Sequence, residues 1–423
     1  MLTYKITKPT GRRKMKIMVI NCGSSSLKFQ LFDMASKNYT VLAKGSVEEI
    51  GHEESVLHFR TNKMKKDEEV TKKVPAKNHT EAVDYVTKAL IDPKTGLFKD
   101  KIEVEAVGHR VVHGGEKFSK SALITKGVKE VIQDCFEIAP LHNPPNFAGI
   151  EACEKIMPGV PQVAVFDTAF HQSMQKEAYI YGLPYELYER YHVRKYGFHG
   201  TSHEYVSVRA AEILKKDYKK LKLVTCHLGN GASITAIKDG KSVDTSMGLT
   251  PLEGLVMGTR TGDMDPAVVL FLMEKEHLDI KGMNDLLNKK SGLKGISGVS
   301  NDLREIMGAA EKGVARAQYA IDIFSYRITK YIGSYAAAMG GLDAVIFTGG
   351  IGENAVKVRE QVLAPLGFLG IKMDKKSNES KEREKVITSA GSKVKVLVVP
   401  TNEELMIAQK TMAVVEEANH TYR

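Results

Sequence analysis

Five side chains in this sequence combine reactive chemistry with positions that a fold can hold still: Arg110, His142, Asp167, His199 and Arg260. Arg110 and Asp167 belong to apolar runs that read as strands, Val104–Val112 and Gln162–Phe166 with Asp167 at its end. His142, His199 and Arg260 lie in loops rich in Gly and Pro. Singly, each admits an ordinary explanation. The arginines could be surface ion-pair partners, His142 a loop histidine, Asp167 a helix cap and His199 a satisfied core histidine. Together they suit phosphoryl transfer, whose transition state spreads negative charge over equatorial oxygens that fixed cations and donors stabilise. Guanidinium groups can grip those oxygens as planar forks, and a histidine can add a hydrogen bond. Asn21 and Glu403 are oxygen donors of the kind Mg²⁺ accepts directly or through water.

Such loops need a rigid scaffold behind them. The stretch Met15–Asp33 reads as strand, turn, strand, with the small polar run Asn21-Cys-Gly-Ser-Ser-Ser26 between an apolar run and an alternating one. Backbone N–H groups and serine hydroxyls in such a turn can follow the oxygens of a phosphate, with Lys28 adding a charge. An ordinary Ser-rich hairpin is the alternative on this stretch alone. Leu223–Asp239 repeats the grammar about 200 residues on. A third loop, Ala344–Asn354, runs from an apolar strand into glycines and a helix start. Two phosphate hairpins and a Gly-rich adenosine loop are the pattern of the duplicated, actin-like (ribonuclease H-like) ATPase fold of class α/β, with an active-site cleft between its domains.

The predicted domains are 15–168 and 169–404, with a final helix, 405–423, returning to the first. Residues 1–14 read as a flexible basic tail. The net charge is +10, but residues 1–16 hold six basic side chains and no acid, so only +4 remains elsewhere. That distribution, without a nucleic-acid motif, points to a small anionic substrate rather than nucleic acid. No apolar run approaches the ~20 residues of a membrane helix. Cys22, Cys135, Cys153 and Cys226 lack metal-ligand spacing, which suggests reduced thiols and a cytoplasmic location.

Among rival motifs, a Walker A loop is absent, since Thr235 stands where the first glycine before Gly240-Lys241-Ser242 belongs. Gly350-Ile-Gly352-Glu-Asn-Ala355 matches a dinucleotide fingerprint, with Asp374 about 20 residues on. A nicotinamide-dependent dehydrogenase is therefore the alternative, but it leaves both hairpins and the arginine loops unexplained.

The ordered blocks NCGSSSLKF (Asn21–Phe29), GHRVVHGG (Gly108–Gly115), LHNPPN (Leu141–Asn146), VFDTAFH (Val165–His171), YGFHGTSH (Tyr196–His203), HLGNGAS (His227–Ser233), MGLTPLEGLVMGTRTGDMDP (Met247–Pro266), FTGGIGEN (Phe347–Asn354) and TNEE (Thr401–Glu404) resemble the acetate kinase family. That family sits in the acetate and sugar kinase, Hsp70 and actin superfamily, and its members usually begin near Met15. The resemblance implies reversible phosphoryl transfer from ATP to acetate, giving acetyl phosphate and ADP, with Mg²⁺ (or Mn²⁺ in its place), in a cytoplasmic homodimer. It implies Arg110 and Arg260 on the transferring group, His199 as transition-state stabiliser, His142 orienting substrate, and Asn21 and Glu403 serving the metal. Asp167 would be an acid/base or a positioning carboxylate. For ATP it implies Lys28, His227, Leu228, Gly229, Asn230, Gly231, Asp302, Leu303, Arg304, Gly350, Ile351, Gly352, Glu353 and Asn354. The acetate methyl would lie among Val112, Leu141, Phe198 and Pro251, with Val112 beside Arg110 on one strand face. A propionate kinase of the same family is the near alternative.

Overall fold

The computed structural model describes residues 15–35, 39–65 and 68–421; the segment 1–14 and its expected flexibility lie outside the described residues. By its internal contacts the chain divides into two units. One comprises the residues up to Ala169 together with those from Glu403 onward; the other is Phe170–Asn402. Each is built on one mixed sheet.

The first unit holds β1 (Lys16–Cys22), β2 (Ser26–Asp33), β3 (Thr40–Glu48), β4 (Ser55–Thr61), β5 (Val70–Val74), β6 (Ala106–Val111), β7 (Ala122–Leu123) and β8 (Gln162–Phe166). They lie in the order β5-β4-β3-β2-β1-β6-β8-β7. Strands β1, β6 and β8 are parallel, so their C-terminal ends reach one edge of the sheet. That edge is where open α/β sheets bind ligands. Alternation along β1 divides the core. Met18, Ile20 and Cys22 join Phe29, Leu31, Val83 and Ala152 on one face. Ile17 and Val19 join Val163, Val165, Ile407 and Met412 on the other. The second face is covered by the helix Glu403–Thr421. Gly108 permits that docking, because a Cβ there would come within 2.2 Å of Thr411 Oγ1.

The second unit holds β9 (Lys222–Leu228), β10 (Ala232–Lys238), β11 (Lys241–Thr245), β12 (Ala344–Thr348), β13 (Lys385–Val386) and β14 (Lys395–Val398), in the order β11-β10-β9-β12-β14-β13. Here β9, β12 and β14 are parallel. Both sheets thus run a three-stranded antiparallel meander, two strands parallel to its last, and an antiparallel edge, and β4 and β5 are additions to the first. The expected α/β class and its duplication are present.

Several local expectations need correction. The hairpin turn is shorter than the polar run suggested: Asn21 and Cys22 close β1, Ser26 opens β2, and Gly23–Ser25 alone connect them. The Lys- and Glu-rich stretch Asn62–Lys77, which carries no apolar alternation, nonetheless contains β5, a lysine-bearing edge strand of the kind that discourages further pairing. The helix Asn143–Ile156 was hidden by Pro144 and Pro145, which read as a break but sit in its first turn, where no N–H is needed. Strand β6 ends at Val111, so Val112 lies beyond the strand whose alternation was to place it beside Arg110. The loop that bears His199 passes directly into the helix Gly200–Leu214, with His199 at its N-cap position.

Candidate active site

In the first unit the charged groups gather at the C-terminal ends of the parallel strands. Arg110, on β6, donates through Nη2 to Asp167 Oδ2 at 3.0 Å. Asp167 follows β8 and its N–H donates to Val111 O at 2.9 Å, which ties the two strand ends together. The carboxylate is fully buried. Glu403, first residue of the last helix, brings Oε2 to 3.9 Å from Arg110 Nε. Burial works against the charge of Arg110, but Asp167 and Glu403 more than offset it and raise its pKa. Burial also drives the Glu403 carboxyl up to about 7; Arg110 opposes the rise, while Asp167 and Glu404 add to it. Arg110 and Lys28 thus face three carboxylates, of which only Asp167 is fully buried.

Asn21 closes β1 opposite Lys28 of β2. Glu404 and Lys28 line one shallow depression. His142 stands at the N-cap position of the helix Asn143–Ile156 without a side-chain cap, and Leu141 beside it is 67% exposed. Two side chains that the sequence reading passed over organise this region. Asn146 accepts from Val112 N (3.0 Å) and donates to Cys22 O (2.6 Å), and Asn143 accepts from His113 N (3.0 Å). The signal was available: LHNPPN puts two asparagines three apart, hence on one helix face.

In the second unit the loops converge on Gly231. The turn Gly229–Gly231 joins β9 to β10, as Gly23–Ser25 joins β1 to β2. A Cβ on Gly231 would stand 3.5 Å from Arg260 Nη1, 3.6 Å from His199 Cε1 and 3.7 Å from His199 Nε2. The absent side chain therefore leaves open the point where guanidinium and imidazole meet. Arg260 is partly buried, donates to Pro251 O (3.1 Å), and has no carboxylate within ion-pair distance among the described residues. Burial lowers its pKa from the ordinary value. Gly258 N–H donates to Asn230 O (2.9 Å), fastening the arginine loop to the hairpin turn.

His199 takes a left-handed backbone (φ 56°), uncommon outside glycine and frequent where geometry is held for function. Its ring stacks on His227, with centroids 4.3 Å apart. Phe198, before it, is buried, and its carbonyl accepts from His171 Nε2 at 3.0 Å. Leu228 is buried at the end of β9. Gly350, Ile351, Gly352, Glu353 and Asn354 form the helix Gly349–Asn354 directly after β12. The residue that requires glycine is Gly349, with φ 76° and Leu228 O only 2.7 Å from any Cβ. Asp302 caps the helix Leu303–Glu311 and is held by Arg304, which lowers its pKa to about 2; Leu303 is buried. Arg110, His142, Asp167, Asn21, Lys28, Val112, Leu141 and Glu403 thus belong to the first unit, and the remaining predicted residues to the second.

The acetokinase family model matches residues 16–409. Acetate kinase of Desulfitobacterium hafniense (strain DSM 10664 / DCB-2) is 57% identical over 403 residues, covering 95% of this chain and 100% of the relative. Acetate kinase of Acetivibrio thermocellus is 58% identical over 403 residues, again 95% of this chain and 100% of the relative. The crystal structure of Porphyromonas gingivalis acetate kinase superposes with a TM-score of 0.91 at 51% identity, covering 95% of this chain and 100% of that one. With that likeness over almost its whole length, the chain belongs to the acetokinase family of acetate kinases.

Proposed function

We propose that this acetate kinase passes the terminal phosphoryl group of ATP directly and in line to a carboxylate oxygen of acetate. A new P–O bond forms at the acetate oxygen, the bond from the γ-phosphorus to the bridging oxygen breaks, and ADP leaves with that electron pair. Acetate is already ionised near neutral pH, so no side chain has to remove a proton. The protein's work is positioning and charge stabilisation.

Arg260 carries the reading: a partly buried cation with no carboxylate partner among the described residues, next to the Nε2 edge of His199 and the open space at Gly231. There Arg260 and His199 receive the equatorial oxygens. The strand end and turn His227–Gly231, the segment Asp302–Arg304 and the helix residues Gly350–Asn354 hold the nucleotide, and Lys28 supplies a further charge for its phosphates. Arg110 binds the reacting oxygens, and Asp167 and Glu403 hold its guanidinium in one orientation. His142 orients acetate, and Val112, Leu141, Phe198 and Pro251 surround its methyl group.

The first unit's donors fit Mg²⁺. The ion takes hard oxygens, keeps several waters and needs only one or two carboxylates besides phosphate, and a cation would offset the burial and the neighbouring carboxylates that raise Glu403. Glu403 and Asn21 would hold it, and it would neutralise charge on the phosphate oxygens. An acetyl-hydroxamate assay with ATP, Mg²⁺ and acetate tests the function. Hydroxamate formation is expected, and its absence alongside NAD(H)-dependent turnover would restore the dehydrogenase alternative.

We also propose a homodimer. The helix Ala267–Lys275 reads AVVLFLMEK yet buries none of its residues against the described residues, with Leu270 71% and Phe271 57% exposed. An exposed apolar surface of this kind marks an interaction site.

A further inference from the structure

The stabilising role of His199 depends on which ring nitrogen bears its hydrogen, and buried neighbours bear on that choice. His199 Nδ1 lies 2.9 Å from Ser233 Oγ. The same oxygen is 2.7 Å from His203 Nε2, and His203 Nδ1 is 2.7 Å from Thr225 Oγ1. Thr225, His203 and Ser233 are all fully buried. The contacts form a chain, Thr225 to His203 to Ser233 to His199.

Hydrogen bookkeeping along the chain leaves one satisfactory direction. Burial, and then the rings of His171, His227 and His199, hold the pKa of His203 well below its ordinary value. It is therefore neutral, with one nitrogen donating and the other accepting. If the Thr225 hydroxyl donates to His203 Nδ1, then His203 Nε2–H donates to Ser233 Oγ, and the Ser233 hydroxyl donates to His199 Nδ1. Every hydrogen then has an acceptor. In the reverse direction the Thr225 hydroxyl has no acceptor among the described residues, an unsatisfied buried donor of the kind folded proteins avoid. Letting both imidazoles donate to Ser233 strands the serine hydrogen in the same way.

We propose that Ser233, backed by His203 and Thr225, is a positioning residue that fixes the tautomer of His199, leaving the hydrogen on Nε2. That nitrogen is on the side of the ring facing the open space at Gly231, beside Arg260. An N–H there donates to an anionic oxygen, whereas a bare lone pair would repel it. The inference rests on the role proposed above for His199, and a test that needs no turnover separates the two.

Nuclear magnetic resonance of the full chain with ¹⁵N-labelled histidine reads the tautomer directly, with the His199 signals assigned by their loss in His199→Gln. A hydrogen on Nε2 and none on Nδ1 is expected; a hydrogen on Nδ1 of the neutral ring would overturn the proposal. Ser233→Ala is expected to lower kcat by about 10–100-fold, the usual cost of losing a group that orients a functional ligand, with KM little changed and the two tautomers mixed. Ser233→Thr, which keeps the hydroxyl, is expected to recover most of kcat. Unchanged kcat in the alanine variant, or equal losses with alanine and threonine, would sink the idea. Should Ser233→Ala not fold, the isosteric Thr225→Val removes the first donor of the chain. It is expected to disturb both kcat and the His199 signals, and no effect on either counts against the proposal. If wild type shows the expected tautomer but His199→Gln keeps full activity, the proton arrangement stands and the role of His199 falls.

Discussion

Arg260 is the residue on which the chemistry turns, because its charge is neutralised by no carboxylate of the described chain and its pKa is already lowered by burial. Arg260→Ala is expected to cut kcat by on the order of 10²–10⁴, as for loss of a preorganised charge stabiliser. Lysine in its place should restore only part, since a point charge lacks the planar fork. Steady-state kinetics decide, and a loss of tenfold or less would remove Arg260 from the transition state. Gly231 offers a cleaner probe. Its φ lies outside the left-handed region and a Cβ would meet only ordinary contacts. Gly231→Ala should therefore fold normally while its methyl occupies the phosphoryl space. We expect a loss in kcat on the order of 10²-fold, the effect of roughly 1 Å of misplacement. An unaltered kcat would empty that space of its proposed role. At Val112, buried and held through its N–H by Asn146, the proposed methyl pocket predicts acetate over propionate, and butyrate negligible. One methylene in such a pocket is worth ~1–3 kcal/mol, so propionate is a poorer substrate without being excluded. Val112→Ala should shift the ratio of kcat/KM values toward propionate; an unchanged ratio would rule Val112 out of the pocket.

At the scale of elements, β6 carries both a site residue and a buried titratable one. His109 donates through Nε2 to Gln162 Oε1 at 2.6 Å, across to β8. Burial lowers its pKa from 6.5 to about 4. Between those values the unfolded chain binds a proton that the folded chain does not. Stability therefore falls as pH drops through this window, and above it the group has no effect. The difference corresponds to roughly 3 kcal/mol. Urea denaturation across the window should show a shallower pH dependence for His109→Gln than for wild type. Parallel profiles would assign the acid sensitivity to other groups.

At the scale of the whole molecule, one design is used twice, with a hairpin followed by parallel strands whose C-terminal ends carry the loops. The exposed helix Ala267–Lys275 is an apolar surface that the described residues do not cover. We expect sedimentation velocity to show a dimer, and the double substitution Leu270→Glu with Phe271→Glu to give a monomer. A wild-type monomer at micromolar concentration would refute the assignment of that surface.

The sequence by itself determined the strands β1, β2, β6, β8, β9, β10 and β12, both hairpins and the loops that bear Arg110, Asp167, His199 and Arg260. Those signals are local: period-two apolar runs, glycine-rich turns and polar residues at strand ends. It also determined the family, because many ordered blocks recur along nearly the whole chain. Tertiary structure alone decided which groups meet. That Gly231 leaves space between Arg260 and His199, that Asn146 joins Cys22 to Val112, and that Ser233 bridges two histidines are contacts between residues distant in sequence. No local pattern encodes them. The helix Asn143–Ile156 lay between the two cases. Its prolines are breakers in isolation, and first-turn residues once His142 is placed before them, where their missing N–H groups are not required.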